Sequence, residues 1–125
     1  MADGFARALL SATTRVNSAG IYPGTVNRLT IDVMREIGID ISSHRSKQLA
    51  EVAGLSFDLA VVLAESAFES VTQKIQAREV RLWAFPDPIC EPGEDEVLKE
   101  KIRQVRDGIR EKIVELRKLE SLKDF

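Results

Sequence analysis

A three-layer α/β fold built on a parallel sheet is what this sequence predicts, and three observations carry the prediction. Apolar residues step by three and four in several separate stretches, the longest from Glu94 to Lys118, as the buried stripes of helices do. Among them lies Leu59-Ala-Val-Val-Leu-Ala64, an almost wholly apolar run of strand length, which suits a strand covered on both faces of a parallel sheet. A second strand-like run, Val80 to Phe85, comes after a further helical stretch, so helices and strands alternate along the chain.

Taken in order, residues 3 to 12 read as a helix, with Phe5 and Leu9 four apart and Asp3 as the available cap. A short extended piece follows around Arg15 to Ser18 and closes at Ala19-Gly20. Tyr22-Pro-Gly24 supplies a turn, and Thr25 caps a helix carrying Val26, Leu29, Val33 and Ile37, which Gly38 ends. Ile39 to His44 is a connector. Ser46 caps a brief helix with Leu49, Val52 and Ala53, and Gly54 stops it.

After the apolar run at 59 to 64, Ser66 and Glu69 form a capping-box pattern ahead of a helix whose stripe is Phe68, Val71 and Ile75. The second strand, 80 to 85, runs into a loop made of Pro86, Pro88, Pro92 and Gly93, which continues neither element. In the last helix Leu98, Ile102, Val105, Ile109, Ile113 and Leu116 make one apolar stripe, expected to pack on the sheet rather than in a coiled coil. With two clear strands and a short third, the sheet is one central strand poor.

Composition narrows the function. A chain of 125 residues suits one domain, here taken as residues 1–125, burying roughly two-thirds of its unfolded surface. A net charge of -2 with intermixed signs offers no basic field for nucleic acid or an anionic membrane. The longest apolar run is about a third of a bilayer span and there is no basic leader, so a cytoplasmic protein is expected. Cys90 is the lone cysteine, which excludes an internal disulfide, a multi-cysteine zinc site and a dithiol relay within these residues. No cofactor and no metal are expected.

Several segments stand out together: Met1-Ala-Asp-Gly-Phe5, Asn17-Ser-Ala-Gly20, the stretch Val33 to Lys47, the run Phe57 to Leu63, and Trp83-Ala-Phe-Pro-Asp-Pro88. In this order they resemble the low-molecular-weight phosphotyrosine phosphatase superfamily, including the arsenate reductases that share its fold. The most specific is Gly38-Ile-Asp-Ile-Ser-Ser-His-Arg-Ser-Lys47, and the resemblance extends over essentially all of the chain. It implies a parallel sheet whose first, central strand leads into a Cys-x5-Arg-Ser loop, followed by a helix opening like Met1 to Phe5. On that pattern this chain begins after the loop and is an N-terminally truncated domain without the nucleophilic cysteine and the arginine.

In such relatives a thiolate, held in a nest of backbone N–H groups at a helix N-terminus, attacks phosphorus or arsenic. Cys90 is not placed to replace it: the sixth residue after it is Glu96 rather than arginine, and Glu91, Glu94 and Asp95 disfavour both thiolate and oxyanion. By resemblance Asp87 is the general acid that protonates the leaving oxygen. Asn17 and Ser18 support the nucleophile loop, and His44, the only histidine, serves structural hydrogen bonding. Trp83 and Phe85 either line a pocket mouth or are core at a strand end. The region Leu63 to Thr72, where arsenate reductases of this fold carry two more cysteines, has none.

Two functions of different kinds follow. The first is the body of a phosphatase-like or arsenate-reductase-like domain, inactive as given, which would take an oxyanion or phosphorylated substrate only with the loop supplied. The second is a non-catalytic interaction protein, a homodimer or a partner-binder, that uses the exposed sheet edge. A nucleotide or nucleic-acid binder is disfavoured, since no Gly-rich loop follows a strand and no aromatic-basic pattern is present.

Overall fold

The computed structural model describes residues 1–20, 27–44, 47–86 and 93–123, with side chains to residue 119 in the last helix. Elements follow as α1 (Ala2–Leu9), α2 (Arg28–Arg35), α3 (Leu49–Val52), β1 (Ser56–Val62), a 3-10 turn (Glu65–Ala67), α4 (Phe68–Lys74), β2 (Gln76–Leu82) and α5 (Asp95–Lys123). They group into two compact units, one of residues 1–17, 26–44 and 88–125, the other of residues 18–25 and 45–87.

The first unit is helical. Both α1 and α2 pack on α5, and the α5 stripe foreseen from the sequence supplies the core: Ile102, Val105, Ile109 and Ile113 are all buried. Leu29 and Val33 of α2 meet Ile102, with Met1 and Leu98 against them. Each such aliphatic side chain contributes about 1.5–3 kcal/mol on leaving water. Within this unit α1 and α2 lie on the stripe.

Helix α1 is shorter than expected and is not capped by Asp3; its N-cap is Met1, and no side chain closes it. At Gly4, α1 closely approaches the chain after α2. A Cβ at that position would stand 2.8 Å from Ile41 Cγ2 and 3.2 Å from Ile39 Cγ2. Helix α2 starts at Arg28, with the Asn27 side chain accepting from Leu29 N at 2.8 Å; the expected cap, Thr25, lies outside the described residues. Gly38 ends the helix as foreseen. At φ +81° it donates to Arg35 O while Ile39 N donates to Met34 O, the paired bonds of a Schellman closure.

The second unit holds a parallel sheet of β1 and β2, joined through α4 as a βαβ unit. The register sets Ser56 beside Gln76 and Val62 beside Leu82. Pairing outlasts the strands, since Trp83 N donates to Val62 O at 2.8 Å and Phe85 N to Leu63 O at 3.1 Å. Both strands start earlier than the apolar runs suggested. Their burial is partial, with only Val62 buried in β1 and no residue in β2.

Three further expectations are corrected. The extended piece at 15–18 forms no strand; strand-like pairing begins only at Gly20, which makes an isolated parallel bridge with Gln48. Ser66 caps nothing, because Glu65–Ala67 forms a 3-10 turn that moves the start of α4 to Phe68, and no side chain caps that helix. Phe68 is 37% exposed and α4 buries no residue, so its apolar stripe is at best half-covered. The cap of α3 is Gln48, whose N–H donates to Glu51 Oε2 at 2.7 Å; Ser46 lies outside the described residues.

Candidate functional site

The residues singled out around the first helix are brought together in part. Asp3, in the first turn of α1, has a side chain only 11% exposed. Its carboxylate accepts from Arg7 Nε one turn later and lies 3.7 Å from His44 Nδ1. Arg7 Nη2 in turn donates to Val16 O at 2.9 Å. One carboxylate–guanidinium pair thus ties α1 to the turn ending at His44 and to the segment just before Asn17.

The His44 turn is built locally. Asp40 Oδ1 accepts from Ser42 N at 2.9 Å, and His44 N donates to Ile41 O at 3.1 Å, an Asx-type turn that places Ile41 in the core and His44 beside α1. Hydrogen bonds from Ser42, through its side chain and then its backbone, hold the Asp40 carboxyl below its ordinary range, with Arg35 adding to the effect. Among the described residues the acidic group beside the His44 ring is Asp3.

Asn17 and Ser18 are both exposed. Asp87 and Cys90 lie outside the described residues. Trp83 is buried, and Phe85 half-buried, where the ladder between 62–63 and 83–85 continues. Among the described residues there is no group of three or more His, Cys, Asp or Glu side chains that could hold a metal ion, and no helix long and apolar enough to cross a membrane.

The most developed polar cluster went unremarked in the sequence. Arg106, 8% exposed, donates to Val33 O at 3.0 Å and to Glu36 Oε1 at 3.1 Å. Arg103 approaches both Glu36 oxygens, at 2.9 Å and 2.8 Å. Hydrogen bonding to Arg103, and then its charge and that of Arg106, takes the Glu36 carboxyl down to about 2. The cluster fastens the end of α2 to α5. A signal was present: Arg106 falls four residues after Ile102 and next to Val105, inside the apolar stripe.

A parallel βαβ unit and a long amphipathic helix with two short helices on its stripe define an α/β protein with a small parallel sheet. The chain belongs to the low-molecular-weight phosphotyrosine protein phosphatase family, whose model matches residues 1–124. An arsenate reductase of Halalkalibacterium halodurans is 34% identical over 113 residues, 90% of this chain and 81% of that protein. An arsenate reductase of Staphylococcus aureus (strain Newman) is 32% identical over 110 residues, 88% of this chain and 79% of that one. Among solved structures, an arsenate reductase in the oxidised state is similar with a TM-score of 0.76 at 25% identity, covering 90% of this chain and 81% of that one. A second, in the reduced state, gives 0.68 at 26% identity, covering 93% and 84%.

Proposed function

We propose that residues 1–125 are a single domain, the body of an arsenate-reductase-type or phosphatase-type unit, and that these residues do not turn over substrate unaided. The observation that carries this reading is the conjunction of a family match over residues 1–124 with a single cysteine, Cys90, whose sixth following residue is Glu96. In the proposed chemistry a thiolate attacks phosphorus, the bond to the leaving oxygen breaks, and Asp87 gives that oxygen its proton; water then hydrolyses the sulfur–phosphorus bond and releases phosphate, whereas reduction of arsenate would need a further thiol to take the oxidised sulfur. The 125 residues supply the acid, Asp87, and the supporting turn at Asn17 and Ser18. They do not supply a thiolate in an anion nest, which normally provides most of the barrier reduction.

With one cysteine there is no pair of thiols to carry an oxidised sulfur outward, so hydrolysis of a phosphate monoester suits the residues better than an intramolecular relay. A cytoplasmic setting, where thiols stay reduced, fits either chemistry. The test is hydrolysis of para-nitrophenyl phosphate at mildly acidic pH, and arsenate-dependent oxidation of a dithiol, by the 125-residue chain beside Asp87→Asn and Cys90→Ser. Equal absence of turnover in all three is expected. Turnover abolished by Cys90→Ser would overturn the reading and make the loop around Cys90 the active site.

A second reading, association through a sheet edge as a homodimer or with a partner, is favoured by one observation. Among the described residues β1 and β2 pair only with each other, so each has an edge with no strand beside it. Sedimentation velocity over a wide concentration range tests the homodimer, and a monomer throughout would remove it.

A further inference from the structure

The outer edge of β2 carries a pattern that is complementary to itself. Trp83 N donates to Val62 O, which fixes which backbone groups face inward: with alternate residues pointing to opposite sides, Glu79, Arg81 and Trp83 turn their N–H and C=O groups toward β1. Those of Arg78, Val80 and Leu82 therefore point away from it. Beyond them, among the described residues, no strand is paired. On one face of the strand stand Glu79 and Arg81, whose side chains are joined by Arg81 Nε donating to Glu79 Oε1 at 2.9 Å. On the other face are half-buried Val80 and Leu82, which is 40% exposed.

We propose that this edge pairs antiparallel with the same edge of a second copy of the chain, on a two-fold axis through Val80. In that register Val80 exchanges backbone hydrogen bonds with its own counterpart, and Arg78 does so with Leu82 of the second copy. The intervening positions are the closely spaced, non-hydrogen-bonded ones, where side chains approach most nearly. There Glu79 faces Arg81 of the second copy, and Arg81 faces its Glu79, so two ion pairs become a four-membered ring of alternating charge. The stem of Arg78 lies over exposed Leu82 of the other copy.

Charge also selects the register. Moving the axis by one residue, to Glu79 or to Arg81, would set a like-charged pair face to face, which is unfavourable. Charged side chains on an edge strand discourage indiscriminate pairing; here the same charges permit one alignment. The inference deepens the second reading above by naming the edge, the orientation and the occupant, and it is independent of the catalytic reading.

The experiment is sedimentation velocity and light scattering on the 125-residue chain, with R81E, E79R and the swapped double variant E79R/R81E. Far-UV circular dichroism checks that each is folded. A dimer is expected for the wild type, weakened about tenfold or more in each single variant, where two like-charged pairs oppose one another, and restored in the swap. Mixing R81E with E79R should give a heterodimer although neither retains its internal Glu79–Arg81 pair, which separates pairing between copies from a purely local effect. A wild-type monomer overturns this inference together with the homodimer. A dimer indifferent to all three variants overturns this inference alone and leaves association by another edge standing.

Discussion

Adding one carbon at Gly4 should be costly. The nearest atom to a new Cβ, at 2.8 Å, is the Cγ2 of Ile41, a β-branched methyl on a side chain only 1% exposed, so neither partner can move without disturbing the core. Helical propensity favours alanine by roughly 1 kcal/mol, but overpacking costs about 1–3 kcal/mol. Gly4→Ala is expected to lower the urea midpoint, whereas Gly54→Ala, with no atom within 4 Å, should leave it nearly unchanged.

Glu36 ties stability to pH. Its carboxyl sits at about 2 in the folded chain, against an ordinary value of 4.5, because it is ionised between two guanidinium groups. A carboxyl whose folded value is depressed stabilises the fold fully above its unfolded value and loses that contribution as pH falls through the folded one. Stability should therefore decline between about pH 4.5 and 2, and Glu36→Gln should flatten that limb in denaturant titrations at stepped pH. Removing Arg106 instead strips the Val33 carbonyl of its donor in a buried place. Arg106→Ala should cost about 1–3 kcal/mol at neutral pH. Neither effect was read from the sequence, because charges are ordinarily assigned to solvent and the partner, Glu36, is 70 residues from Arg106.

Among the elements, α5 was the most legible and is the most consequential. Its three- and four-residue period survives over many turns, so the stripe could be read residue by residue, and Ile102, Val105, Ile109 and Ile113 are all buried. Ile109→Ala, 3% exposed in the wild type, should destabilise by about 2–4 kcal/mol in equilibrium unfolding. Leu119→Ala, at a position 43% exposed, should fall within about 0.5 kcal/mol of wild type. That α1 and α2 lie on the stripe within the helical unit was not legible: periodicity shows that a face is buried, but not by what. The strands were found but misplaced, since Ser56 and Asp58 in β1 and the polar first half of β2 carry no apolar signal; strand pairing holds them, with Arg78 Nε 3.7 Å from Asp58 Oδ1. The cap expected of Ser66 failed because a 3-10 turn competed for the same residues. Of the candidate site, the Asp3 and Arg7 pair has the i,i+4 spacing of one helix face, whereas the approach of His44 to Asp3 is a contact that no local spacing announces.

At the scale of the molecule the two units differ in what holds them. The helical one has a continuous buried core, with Phe5, Val33, Met34, Ile41 and Ile102 nearly or fully inaccessible. The sheet-containing one buries Val52, Val62 and Trp83 and otherwise relies on partly exposed strands. Local opening follows buried contact and the exposure of backbone hydrogen bonds. Amide hydrogen exchange should therefore be slowest in the middle of α5 and in α2, and faster by at least an order of magnitude in β1 and β2. Equal protection in both would show that the units open as one. Membership of the phosphatase family was legible because short motifs, Gly38 to Lys47 above all, set many specific residues in a fixed order; from Gly38 to His44 the chain forms a helix closure and an Asx-type turn, where sequence is tied to backbone shape rather than to generic burial.

The backbone bond from Trp83 to Val62 has a practical consequence. The chain has a single tryptophan, and this bond holds it, buried, just past the end of β2 where the ladder continues. Its fluorescence is therefore a reporter of one locus, with no second indole to dilute it. Emission that shifts to the red at a lower denaturant concentration than the loss of helical ellipticity, which α5 dominates, would resolve the opening of the parallel strands as an event of its own, in unlabelled protein and in a single titration.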